Sequence, residues 1–136
     1  MEAFSWAFHK YIMHGPLWFV HKTHHLPHKG AFELNDFFSL VFGLIAIALI
    51  IAGLHYGNGL SLGMGTGITL YGVVYFVLHD VAIHNRIKAT RLSKSEFFRR
   101  IRMAHKIHHK HLGAKPSRSF GLLFVRESIF EGGKNS

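Results

Sequence analysis

The sequence predicts an all-α protein, an integral membrane helical bundle with a histidine-box di-metal site on its cytosolic side. Three observations carry the prediction. Residues 37–56 and 60–78 are apolar stretches without a formal charge. No Lys or Arg occurs between Ala31 and Asn85. Ten of the thirteen histidines fall into a spaced pattern that occurs twice, once on each side of the apolar middle.

Composition sets the frame. A chain of 136 residues is read as one domain, residues 1–136. Hydrophobic residues make up 49% and charged residues only 17%, a balance that suits contact with lipid better than a fully solvated surface. There is no cysteine, which excludes disulfides, iron–sulfur clusters and thiolate zinc sites. The formal net charge of +9 does not point to nucleic acid, because the basic residues flank an apolar interval instead of forming one patch. That distribution is what the positive-inside rule produces.

In chain order, residues 3–13 read as a short apolar and aromatic helix stopped by Gly15-Pro16. The stretch lacks a basic leading region and a small-residue cleavage site, so it is no signal peptide. Each of the two uncharged stretches is long enough to cross ~30 Å of hydrocarbon as a helix. Gly57-Asn58-Gly59 marks a turn between them, giving a transmembrane hairpin at about residues 37–78. Gly63, Gly65, Gly67 and Gly72, with Ser61, Thr66 and Thr69, are expected to allow close helix approach. A hairpin returns the chain to its starting side, which the basic flanks make cytoplasmic; both termini and all ten patterned histidines then share that side. Ser95 is a candidate N-cap for a basic helix running from Glu96 towards His111. Phe97, Phe98, Ile101, Ala104 and Ile107 form its apolar stripe, and its basic residues suit the headgroup surface. The polar tail, residues 131–136, is expected to be loose.

The histidine pattern consists of H-x4-H (His9, His14) and H-x2-H-H (His21, His24, His25), then His79 and His84, then His105, His108 and His109. In a helix the members of H-x2-H-H fall within about 100° of one face, and the adjacent pair diverges enough to serve two ions. H-x4-H spans about 140° of an α-helix, so it either embraces a centre from two sides or the helix is distorted there. Ten imidazoles exceed two closed tetrahedral zinc sites and suit two ions of higher coordination. Imidazole accepts zinc, copper, iron or nickel, so ligand type alone does not name the metal. His55 lies by the turn, away from the boxes, and His28 and His111 fall outside the spacing. Metal-bound imidazoles usually donate their second N–H to an oxygen. Asp80, Glu33 and Asp36 are the candidates for that supporting role, although Glu33 and Asp36 are equally placed to favour the N-terminus of the first span. An acid beside a membrane span, as Asp80 is, needs a reason.

These motifs resemble the fatty acid hydroxylase/sterol desaturase superfamily of membrane non-haem di-iron oxygenases. More narrowly, H-K-Y-I-M-H-G from His9, K-G-A-F-E-L-N-D from Lys29, H-D-x3-H from His79, M-A-H-K-I-H-H from Met103 and S-F-G-L-L from Ser119 resemble the bacterial β-carotene hydroxylases. The carotenoid ketolases, another branch, space their boxes differently. The resemblance implies a four-helix membrane scaffold in the bacterial inner membrane, with two iron ions held by the ten box histidines. It further implies O2 as co-substrate, electrons from a ferredoxin or ferredoxin reductase, and a carotenoid drawn from the bilayer. β-Carotene would pass through β-cryptoxanthin to zeaxanthin by hydroxylation at C3 of each β-ionone ring. Phe4, Trp6, Phe8, Trp18, Phe32 and Phe120 are expected either to line an apolar slot or to form an interfacial belt. Such proteins carry a further hydrophobic segment before the first box. Met1 lies only eight residues before His9, so the N-terminal segment is expected to be shortened. Two alternatives stay open: a fatty acid or sterol hydroxylase or desaturase, and a histidine-rich membrane metal-binding or transport protein. Transport expects ionisable residues within the spans, and only His55 is there.

Overall fold

The computed structural model describes residues 1–26, 30, 32–84, 86, 95–110 and 119–125. His28, His111 and the polar tail lie outside the described residues, as does part of the Lys29–Asp36 motif. Among the described residues every regular element is helical. Helix α1 (Glu2–Ala7) runs directly into a π-helical segment (Phe8–Met13). Helix α2 (Trp18–His25) follows, then α3 (Asp36–Tyr56) and α4 (Gly59–Tyr75). Helix α4 continues as a second π-helical segment (Phe76–Ile83), and α5 is Glu96–His109.

The hairpin forms where the turn signal places it. Helix α3 ends at Gly57 with φ +63°, a conformation that costs glycine nothing for want of a Cβ. The Asn58 N–H donates to the Gly53 carbonyl at 2.9 Å. The Asn58 side chain accepts from the Leu60 and Ser61 N–H groups at 3.0 and 3.1 Å, capping α4. The two helices approach closely at Gly53 and Gly65. A Cβ on Gly53 would sit 2.6 Å from the Leu62 nitrogen, and one on Gly65 would sit 2.8 Å from the Ala46 carbonyl oxygen. Gly53 was not among the expected small residues, and Gly63, Gly67 and Gly72 face open space instead of a helix. Both α3 and the continuous helix of residues 59–83 are long and apolar enough to cross a membrane. In α3 only Phe38, Ala46 and Gly53 are buried, and in α4 only Gly65. Leu40, Leu44, Ile51, Leu54 and Leu70 are largely exposed, the reverse of a core helix in a soluble protein. The helical run is a few residues longer than the sequence suggests at its second end.

Small apolar clusters fasten the remaining helices to the hairpin. Met13, Val20 and Phe38 pack together with Phe8 and Leu17. Leu78, Ile101 and Leu122 pack with Tyr75, Ile83 and Phe98. Burying each such side chain stabilises by roughly 1.5–3 kcal/mol. Ser95 occupies the N-cap position of α5. Ile101 and Ala104 are buried in the α5 stripe, whereas Phe97 is half exposed, so the buried stripe is narrower than the sequence implies. Glu2 ties distant segments together: one carboxylate oxygen accepts the Leu122 and Leu123 N–H groups at 2.8 and 2.9 Å, the other the Tyr71 hydroxyl at 2.6 Å.

Candidate metal centre

The two H-x4-H pairs lie at the π-helical segments. His9 lies inside one and His14 caps its end, and they are joined by a backbone bond from the His14 N–H to the His9 carbonyl at 3.0 Å; His84 to His79 repeats it at 3.0 Å. A π-helix bonds i to i+5, so residues five apart come onto one face, which an α-helix does not allow. The ring centroids stand 5.1 Å apart for His9 and His14 and 4.7 Å for His79 and His84. Of the two geometries left open for H-x4-H, the structure adopts the distorted helix.

The imidazoles gather into two sets. In one, the ligand atoms of His9, His14, His21 and His108 all lie within 4.8 Å of one another; in the other, those of His24, His84, His105 and His109 do. His25 joins the first through His21, Nε2 to Nε2 at 3.2 Å, and His79 joins the second through His24 at 3.1 Å. Each H-x2-H-H box thus divides. Its first and last members, one α-turn apart, serve their own half, and the middle histidine crosses over. His24 goes to the second set and His108 to the first. Facing Nε2 pairs are 3.0 Å apart for His9–His21, 3.2 Å for His14–His108 and 2.8 Å for His84–His105. Two ligands at right angles on an ion, each at ~2.1 Å, stand ~3.0 Å apart. The spacing therefore fits donors converging on metal ions. His109 Nε2 is buried without a hydrogen-bond partner among the described residues, an uncompensated lone pair that an ion would satisfy.

The electrostatics keep six of these rings neutral. Burial pushes His21 and His84 down to about 3 and His109 down to about 2, from an ordinary 6.5. Neighbouring histidines add to the effect, while Asn35 opposes it at His21 and Asp80 at His84. Burial also holds His9, His24 and His105 well below the ordinary value. Neutral imidazoles keep the lone pairs that metal binding requires.

Three of the outer nitrogens are oriented by oxygens, whereas His79 Nδ1 is buried without a hydrogen-bond partner among the described residues. His9 Nδ1 pairs with the Phe120 carbonyl at 2.9 Å and His21 Nδ1 with Asn35 Oδ1 at 2.7 Å. His24 Nδ1 meets Glu33 Oε2 at 3.2 Å, and His79 Nδ1 lies 3.6 Å from Asp80 Oδ1. Asp36 instead accepts the Glu33 N–H at 2.9 Å. All three acids converge on Arg86: Glu33 pairs closely with the guanidinium, Asp36 lies at 2.8 Å and Asp80 at 3.3 Å. Burial alone would lower the Arg86 pKa, but Glu33 and Asp36, with Asp80, hold it above the ordinary value. Three carboxylates against one guanidinium leave negative charge beside the second histidine set.

Arg86, Asn35 and the Phe120 carbonyl escaped the sequence reading. Arg86 had a signal, being the first basic residue after the apolar interval and two positions past His84. Asn35 sits beside Asp36 with no spacing of its own, and a backbone carbonyl leaves no trace in a sequence. Ser119, with φ +63°, turns the chain just ahead of Phe120. The Phe120 ring lies 5.1–5.5 Å from those of His9, His14 and His108. Trp18 packs at 4.9 and 5.1 Å on His14 and His25. Trp6 packs on Tyr11 and Lys10, and Phe32 is exposed. Phe4 and Phe8 line a cavity of about 410 Å3 that reaches His9. His55 stays at the far end of α3, packed on Tyr56.

The fatty acid hydroxylase family matches residues 1–130. A beta-carotene hydroxylase of Pseudescherichia vulneris is 40% identical over 127 residues, covering 93% of this chain and 72% of the relative. One of Pantoea ananas is 40% identical over 125 residues, 92% of this chain and 71% of its own length. The chloroplastic beta-carotene 3-hydroxylase of Gentiana lutea is 39% identical over 107 residues, 76% of this chain and 33% of the relative. No solved structure matches the chain.

Proposed function

The chain belongs to the fatty acid hydroxylase family, and on that premise we propose that it is a β-carotene 3-hydroxylase holding two iron ions on its ten patterned histidines. The observation that carries the reading is the pair of interlocked imidazole sets, in a chain about 40% identical to relatives named for hydroxylating β-carotene. His9, His14, His21, His25 and His108 would hold one ion, and His24, His79, His84, His105 and His109 the other.

When bound, the irons supply the activation of dioxygen that an unactivated ring C–H bond demands. One oxygen atom enters that bond to give the C3 alcohol. The other leaves as water, with two electrons from a ferredoxin-type donor and two protons. The protein's own work is positional. Asn35, Glu33 and the Phe120 carbonyl fix ring orientation and tautomer. Phe120 and Trp18 cover the first set and exclude water. Helix α3 and the helix of residues 59–83 would span the bacterial inner membrane as part of one domain. The basic flanks support cytoplasmic termini and a cytoplasmic histidine site. A carotenoid dissolved in the bilayer then meets the site without crossing water.

Expression in cells that accumulate β-carotene, followed by pigment separation, tests the reading. Appearance of β-cryptoxanthin and zeaxanthin is expected. Unchanged β-carotene alongside iron-loaded, well-expressed protein would contradict it, and hydroxylated acyl chains or sterols in its place would move the substrate class.

A further inference from the structure

The 410 Å3 cavity lies against the histidine site and within the hairpin. Its walls come from three places: Phe4, Phe8 and Met13 of the N-terminal helix, then α3, then α4. It begins at Asn35 and His9 and continues to Ile47, twelve residues along α3 or ~18 Å at ~1.5 Å per residue. Phe4, Ile47 and Val73 on its wall are about half exposed, so the cavity is continuous with the surface that the hairpin presents to lipid. Its wall is mostly apolar, and a prominent polar group, the Tyr71 hydroxyl, is already committed to Glu2 at 2.6 Å. The volume falls within the range of small-molecule sites, ~300–1,000 Å3, enough for one end of a long hydrocarbon and too little for a whole carotenoid. Of the ten patterned histidines only His9 lines it.

We propose that this cavity binds one β-ionone ring and the adjoining polyene of the carotenoid, entering from the bilayer, and presents the ring to the histidine set that contains His9. The proposal rests on the reading of the chain as a carotenoid hydroxylase. It assigns the two sets different work: the His9 set faces the substrate, while the set backed by Glu33, Asp80 and Arg86 lies behind it. It also names the residues that limit ring size. Gly43 and Gly72 line the cavity from opposite helices, and a Cβ at either meets nothing within 4 Å. A larger side chain at either position therefore starts without a clash and adds bulk at the cavity wall.

The test compares Gly43→Leu and Gly72→Leu with Gly63→Leu, a position equally open but outside the cavity wall. Each full-length protein is produced in β-carotene-accumulating cells, with readouts of pigment conversion, carotenoid retained on the purified protein, and iron per chain. The two cavity variants should lose conversion and retained carotenoid by at least about tenfold, as added bulk in an apolar pocket does. Iron content should stay at the wild-type level, and Gly63→Leu should match wild type throughout. Full conversion by both cavity variants, or equal loss in Gly63→Leu, overturns the cavity assignment while wild-type conversion upholds the hydroxylase reading. If wild type converts nothing, that reading fails. Retained carotenoid then decides the cavity: it is overturned if wild type retains none or the cavity variants retain as much as wild type, and upheld if they alone lose it.

Discussion

At the scale of single residues the site depends on nitrogen atoms held in place from behind. His21 is aimed by the Asn35 side chain at 2.7 Å, and loss of such a partner typically costs 10–100-fold in metal affinity. Asn35→Ala should therefore weaken iron retention by about that factor in competition with a chelator, while Asn35→Asp, which keeps the acceptor oxygen, should retain most of it. Equal retention by Asn35→Ala would show that His21 needs no support. The buried imidazoles also set a pH dependence for the metal-free protein. His21 and His84 sit at about 3 and His109 at about 2 when folded, against 6.5 when unfolded. As pH falls below 6.5 the unfolded chain takes up protons that the folded chain refuses, so stability drops as pH falls towards the folded values of about 3 and about 2. Thermal melts of metal-free protein should show the midpoint falling from pH 7 to pH 4. A midpoint that rises or stays level would contradict the burial of these rings. The ligand candidates were legible in the sequence because imidazole spacing survives without a structure. Asn35 and the Phe120 carbonyl were not, because neither residue type nor spacing distinguishes them before the chain folds.

At the scale of helices, two features give the histidines their geometry. The π-helical segments bring residues five apart onto one face. Hydrophobic periodicity could not reveal them, since segments of 6 and 8 residues are too short to separate a π-helical from an α-helical period; only the misfit of H-x4-H with an α-helix hinted at distortion. The hairpin itself was legible from length, missing charge and the Gly57-Asn58-Gly59 turn. Which glycines meet the partner helix was not, because α4 carries glycines on several faces and α3 carries two, Gly43 and Gly53, of which only Gly53 meets it. A Cβ at Gly53 would overlap the backbone at Leu62. Gly53→Ala should destabilise the hairpin by about 1–3 kcal/mol, the usual cost of overpacking, whereas Gly63→Ala should be neutral. Thermal unfolding in detergent separates the two, and equal midpoints would contradict the crossing described here.

At the scale of the whole molecule, the two halves of the sequence interlock. The first half supplies four histidines to one set and lends His24 to the other; the second half supplies four and lends His108, which is fully buried. Neither half completes a five-nitrogen set alone, so the site needs both halves of the chain brought together, with the hairpin closing both ends on the same side. Arg86 reinforces the closure by drawing together acids from around the start of α3 and from after α4. The most direct test of this arrangement is iron per chain in folded protein loaded anaerobically with ferrous iron and stripped of loose metal. Two ions are expected in the wild type, with loss of at least one from His108→Ala at unchanged helicity. One ion or none in the wild type, or two retained by His108→Ala, would contradict it.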